Sequence, residues 1–149
     1  DNLNPLVETY VRSSYGKTYT VPRMSCVFTD TKVGSYYSIQ NHDWSVCPQV
    51  TLIRETMEDL TGLKFDYCLA HVYIPYHNDK EALNTAVVSV SFGATRKFRF
   101  RRLGETKSWD HEFLLANGDV LYMHAGCQRY YSQKVTQPRI SLTFRQRDQ

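Results

Sequence analysis

From Phe65 onward the chain is cut into short runs rich in β-forming residues: Tyr67 to Tyr73, Ala86 to Phe92, Lys97 to Arg102, Val120 to Met123 and Ile140 to Phe144. Turn residues separate nearly all of them, so each is predicted to be a strand. The preceding pattern is helical. Asn4 and Pro5 open a predicted short helix in which Leu6, Val7, Tyr10 and Val11 share one face before Gly16 ends it. Val21 to Phe28 is a predicted strand. Thr29 to Cys47, rich in Ser, Asp, Asn and Gly with exposed-looking Tyr36, Tyr37 and Trp44, is a predicted long loop of a length that usually carries function. Pro48 opens a second helix whose Val50, Ile53, Met57 and Leu60 recur at spacings of three and four up to Gly62, a stripe suited to lying on a sheet. Helices first and strands afterwards predict an α+β fold. Its expected form is a double-stranded β-helix (jelly roll) with the amino-terminal helices packed on one side.

With 149 residues, 42% of them hydrophobic, the chain has the size of one ordinary domain, expected to run from 1 to 149. There is no linker, repeat or low-complexity stretch to divide it. No apolar run of about 18 residues is present to span a bilayer, and Asp1 to Pro5 lacks the basic-then-apolar order of a secretory signal. A soluble, intracellular protein without membrane contact is therefore expected. Cys26, Cys47, Cys68 and Cys127 are scattered and contain no CxxC pair, which predicts buried free thiols over a zinc knuckle or a disulfide framework. A net charge of +3 is too small to establish a nucleic-acid partner. Its distribution is more telling, because Arg96 to Arg102 holds five cations in seven positions.

Three constellations carry chemistry. In His77-Asn78-Asp79 an imidazole and a carboxylate stand two positions apart, so an extended backbone points both to one side, where they could hold a metal in a 2-His-1-carboxylate arrangement. Alone, the pair is more commonly used for local hydrogen bonds. Arg139 and Arg145 lie an even number of residues apart on one predicted strand and so share a face. Guanidinium forks in that arrangement suit the distal carboxylate of a dicarboxylate cosubstrate, with a solvated basic edge as the alternative. The third is the strand, glycine turn and strand from Val90 to Phe98.

In order, HxD, Ser91-Phe92-Gly93-Ala94-Thr95-Arg96, Gly118-Asp119-Val120-Leu121 and the closing Arg139-x-x-Leu142-Thr143-Phe144-Arg145 resemble the AlkB family of nucleic-acid dealkylases. The likeness runs from Pro22-Arg23 to Arg145. It implies a jelly roll with a substrate lid, and removal of alkyl groups from base nitrogens of DNA or RNA with Fe(II), 2-oxoglutarate and O2. It further implies a monomer acting on a single-stranded or flipped base. His77 and Asp79 match the first two iron ligands, Arg139 and Arg145 the 2-oxoglutarate arginines, and Tyr73 a tyrosine that touches the cosubstrate. Glu81 matches an acidic group near the base, Tyr36 and Tyr37 a lid segment, and Arg96 a cation facing nucleic acid.

The chain departs from the pattern at several places. Gln133 occupies the position of the third iron ligand, normally His, and a neutral amide oxygen is a weaker donor than imidazole. Iron affinity is expected to fall, and turnover with it. His124, earlier on the same segment, is an alternative donor but more commonly a packed histidine. His71 and Ser141 replace asparagines of the cosubstrate site and keep hydrogen-bonding capacity. The connections from Tyr73 to His77 and from Val135 to Arg139 are short. Two alternatives to the demethylase accompany this departure: a catalytically dead nucleic-acid-binding module of the same fold, and a dioxygenase acting on protein side chains or small molecules.

Overall fold

The computed structural model describes residues 8–14, 17–32, 34, 40–71, 82–104, 109–135 and 140–147. Ten strands and two helices follow in the order β1 (Glu8–Ser14), β2 (Lys17–Thr29), β3 (Asn41–Asp43), α1 (Pro48–Thr61), β4 (Tyr67–His71), β5 (Val87–Phe92), β6 (Arg96–Arg102), β7 (His111–Leu115), β8 (Val120–Met123), α2 (Cys127–Tyr130), β9 (Tyr131–Val135) and β10 (Ile140–Arg145). The larger sheet runs β1-β2-β4-β10-β5-β8, with β3 parallel to β2, and the smaller runs β7-β6-β9. Val87 and Met123 of the first sheet pack with Phe98 and Phe100 of the second, so the two sheets face each other as the layers of a jelly roll.

The helical expectation for residues 4 to 16 is corrected. Residues 8 to 14 form β1, paired antiparallel with β2 from Glu8↔Ser25 to Ser14↔Lys17. Apolar residues at helical spacing in so short a window also fit a strand, and Tyr10 and Val11 favour extended backbone once a 13-residue neighbour offers its edge. Among the described residues one long amino-terminal helix packs on the sheet. It is α1, with Pro48 in its first turn and Gly62 at φ +74° ending it, where the Gly62 N–H reaches Glu58 O at 2.9 Å. Val50 and Met57 are buried as expected, but Leu60 is 70% exposed and belongs to no core face.

In an antiparallel ladder, directly paired residues project to the same side. One side of the larger sheet is apolar: Cys26, Ala70, Leu142 and Val90 form one row across β2, β4, β10 and β5, and Phe28, Cys68, Phe144 and Val88 the next. Helix α1 covers this side with Val50 and Met57, joined by Trp44, Cys47 and Phe65. Trp44, expected on the surface, is 8% exposed, and the Arg54 guanidinium stacks 4.3 Å from its ring centre. All four cysteines are free, and three of them are buried. Burial pushes the Cys68 thiol well above the usual range, an effect Cys26 adds to and Arg145 opposes. Among the described residues no helix is long and apolar enough to cross a membrane.

Asp43 caps the short 3-10 turn Trp44–Val46. Its carboxylate accepts from the Ser45 hydroxyl at 2.7 Å and the Ser45 N–H at 3.1 Å, and from the Thr31 N–H and hydroxyl at 3.3 Å each. These bonds, led by those from Ser45, lower its pKa from 3.8 to about 2. A pKa lowered by folding means that the cap contributes fully above about pH 4 and is lost as pH falls through about 2. Asp43→Asn is therefore expected to flatten the acid limb of stability over that window. Thermal midpoints of both chains at a series of pH values check this, and parallel curves would contradict it.

Candidate active site

The other side of the larger sheet is polar although it is buried. Ser25, His71, Ser141 and Ser91 form one continuous row across β2, β4, β10 and β5. Two residues further along, Val27, Leu69, Thr143 and Ser89 form the second row, and Thr29, Tyr67, Arg145 and Val87 the third. None of the polar members of these rows is more than 5% exposed, and Arg145 is at 1%. This side faces the smaller sheet, since Val87 and its partner Met123 touch Phe98 and Phe100.

Interior hydroxyls need a reason, because a buried polar group left without a hydrogen bond costs about 1–3 kcal/mol. Among the described residues the hydroxyls of Ser25, Ser89, Ser91 and Ser141 have no hydrogen-bond partner. Thr143 is engaged differently: it donates to Leu69 O at 3.0 Å and accepts from Arg145 Nε at 3.1 Å, which fixes the guanidinium over the third row. A buried cation in a field of hydroxyl donors suits a small, oxygen-rich anion. That chemistry fits 2-oxoglutarate, whose carboxylates match the guanidinium fork and the serine hydroxyls.

The second sheet contributes position 133. Gln133 on β9 pairs with Phe100 on β6, so both side chains project to the side that packs against the first sheet. Gln133 is 2% exposed and its Nε2 donates to Gln128 Oε1 at 3.0 Å. Gln128, 1% exposed, in turn donates through Nε2 to Met123 Sδ at 3.7 Å. Gln133 Oε1 is buried and accepts no hydrogen bond from the described residues. An amide oxygen in that condition fits a place beside a metal ion or a bound donor. A cavity of about 330 Å3 is lined by Phe100, the strand partner of Gln133, with Phe113, Leu121, Met123, His124 and Tyr131 among others.

Of the residues singled out in the sequence, His71, Ser141 and Arg145 lie together on the polar side of one sheet, and Gln133 on the opposing one. His77, Asp79, Tyr73, Glu81, Arg139, Tyr36 and Tyr37 lie outside the described residues. Among the described residues no group of three or more His, Cys, Asp or Glu could hold a metal ion. The cationic run 96–102 is divided by the strand period. Lys97, Arg99 and Arg101 alternate with Arg96, Phe98 and Phe100, and Phe98 and Phe100 belong to the interior cluster. Arg96 is half-buried and donates to Thr95 O at 2.9 Å. Arg99 is held by Glu112 at 2.7 Å and by the Trp109 ring at 3.8 Å. His124 is exposed, stacked on Tyr122 at 4.3 Å, and lines a cavity together with Phe100, Met123 and Tyr131.

Sequence reasoning gave no role to Ser25, Ser89 or Gln128, and took Ser91 only as part of the Ser91–Arg96 motif. A period-two serine signal was present in Ser89-Val90-Ser91, but on an interior strand it reads as neutral filler until the register places it beside Ser141 and Thr143.

Comparison with known proteins gives the family and the fold. The model of the 2OG-Fe(II) oxygenase superfamily matches residues 5–145. The uncharacterized protein R406 of Acanthamoeba polyphaga mimivirus is 31% identical over 134 residues, 79% of this chain and 69% of that protein. DNA oxidative demethylase ALKBH2 of Bos taurus is 33% identical over 155 residues, 88% of this chain, which spans only 55% of the bovine protein. The solved structure of OsALKBH1 superposes with a TM-score of 0.55 at 18% identity, covering 93% of this chain and 84% of that one, a likeness of fold.

Proposed function

The chain belongs to the 2OG-Fe(II) oxygenase superfamily and, within it, to the AlkB family; from that premise we propose that it oxidatively removes alkyl groups from N-alkylated bases of DNA or RNA. The observation that carries this reading is the buried Arg145 on the hydroxyl-lined side of the sheet, a seat for a dicarboxylate where the family's cosubstrate is 2-oxoglutarate. In this reading one intracellular domain works as a monomer on a single strand or a flipped base.

His77, Asp79 and Gln133 would hold Fe(II), and Arg145, Arg139, Tyr73, Ser141 and His71 would hold 2-oxoglutarate. Bound together with O2, metal and cosubstrate supply the oxidising equivalents for hydroxylation of the N-alkyl carbon, with release of succinate and CO2. The residues of this chain orient the participants. Thr143 fixes the plane of the Arg145 guanidinium, so that a dicarboxylate docks in one direction. The walls formed by Phe98, Phe100, Leu115 and Met123 exclude water from the space beside the polar rows. Tyr36 and Tyr37 would close over the base, Glu81 would meet its exocyclic group, and Arg96 would steer the phosphate backbone. A hydroxylated N-methyl group is a hemiaminal, which releases formaldehyde on its own and leaves the base nitrogen carrying hydrogen.

The amide at position 133 favours a second reading, a nucleic-acid-binding module of the same fold without turnover. One assay separates the two: the chain is incubated with Fe(II), 2-oxoglutarate and an N-methylated oligonucleotide, and succinate and formaldehyde are measured. Equal yields of both products are expected from the demethylase. Oligonucleotide binding that falls with salt, persists in EDTA and yields no succinate would replace it with the binding module. Succinate formation indifferent to the methylated oligonucleotide would move the substrate to a protein or a small molecule.

A further inference from the structure

We propose that Gln128 is a positioning residue that turns the Gln133 carboxamide so that its oxygen, not its nitrogen, is presented to the interior as a metal donor; this rests on the reading of Gln133 as the third protein ligand. A carboxamide has two ends of similar shape and opposite chemistry. The oxygen has lone pairs to give to a cation, and the nitrogen has only N–H groups. A glutamine at a ligand position therefore works in one of its two orientations and fails in the other. A histidine or a carboxylate there does not face that choice in the same form.

The structure contains a relay that makes the choice. It starts at Met123, whose thioether can accept a hydrogen bond and cannot donate one. Gln128 Nε2 donates to that sulfur at 3.7 Å, which leaves Gln128 Oε1 facing the other way. An oxygen there calls for a donor, and Gln133 Nε2 supplies it at 3.0 Å. Gln133 Oε1 is the end left over, buried and accepting nothing from the described residues. Both amides are nearly sealed from water, at 1% and 2% exposure, so no solvent molecule competes for the assignment. The spacing of five residues follows from the local fold. Gln128 sits in the single turn of α2 and Gln133 in the middle of β9, which follows it directly, and the two side chains meet across that junction.

The test compares backgrounds in the full chain, with Mn(II) as the probe and its electron paramagnetic resonance signal as the measure of binding. Gln128→Leu removes the acceptor and is expected to weaken Mn(II) binding by about 10-fold, as loss of a group that orients a ligand usually does. In a Gln133→Glu background both ends of the ligand are oxygens and need no sorting, so Gln128→Leu is expected to change binding by less than about 2-fold. Met123→Leu, a milder change of similar volume that removes the anchor of the relay, should give the same contrast at about 3-fold. An equal loss in both backgrounds, or none in either, overturns the positioning role. If Gln133→Leu itself leaves Mn(II) affinity unchanged, the ligand reading beneath the proposal has failed, and that result is distinct from the other two.

Discussion

Replacing Arg145 with methionine is expected to lower affinity for 2-oxoglutarate by at least about 100-fold, or about 3 kcal/mol, while the protein stays folded. Arg145 closes β10, which lies between β4 and β5 inside the larger sheet, and at 1% exposure its charge acts in a poorly screened interior. Removing one partner of a buried charge pair typically costs about 3–5 kcal/mol, because the other partner must then be desolvated for nothing. A bound dicarboxylate would be one such partner of Arg145, in addition to Thr143, and its share of the loss falls on binding. Methionine fills much of the arginine stem without its charge, which keeps the packing of the interior close to that of the parent chain. Calorimetric titration checks the affinity. The shift of the thermal midpoint with added 2-oxoglutarate supplies a second reading that should vanish in the variant. Retained affinity would remove Arg145 from the site and with it the main support for the cosubstrate seat.

The opposite direction is expected at position 133. Gln133→His should raise Fe(II) or Mn(II) affinity by about 10-fold or more and raise 2-oxoglutarate turnover, because imidazole nitrogen is a stronger donor to these metals than a neutral amide oxygen. The surroundings can receive the ring. Gln133 lies on a strand opposite Phe100, the two residue types have similar volume, and Gln128 Oε1 already accepts an N–H from this position at 3.0 Å. A ring N–H bonded to that oxygen would leave the other nitrogen for the metal. Metal titration and succinate formation measure the two effects separately. Unchanged metal affinity in the variant would mean that β9 does not carry a ligand at this position.

The sequence disclosed the later strands well, and the reason is physical. Val87–Phe92, Val120–Met123 and Ile140–Arg145 combine β-branched and aromatic residues with turn residues at their ends, and each was expected within a residue of its observed limits. Strands β7 and β9 were not seen, because His111-Glu112 and Ser132-Gln133-Lys134 are polar and pair only once β6 lies between them. Residues 8 to 14 were misassigned for another reason: in so short a window their apolar spacing fits a helix as well as a strand, and their pairing with the next segment, β2, decides for the strand. The site was legible where a motif gave it a shape, as in the closing Arg145 segment. It was not legible where it rests on register. Nothing in Ser25, Ser89 or Ser91 taken singly marks an anion seat, and only four strands side by side bring them into rows with His71, Ser141 and Arg145.

The two sides of the larger sheet also bear on how such a chain changes over generations. Along β10, Leu142 and Phe144 project under α1, while Ser141, Thr143 and Arg145 project toward the smaller sheet and the proposed site, so neighbouring codons answer to different demands. Drift on the even-numbered positions is tested by whether the chain folds at all. Drift on the odd-numbered ones, and at Gln133 across the gap, is tested only by what the chain does. A reactive group can therefore be lost or regained in a single step on an unaltered scaffold, and an amide at position 133 is the kind of variation this layering tolerates.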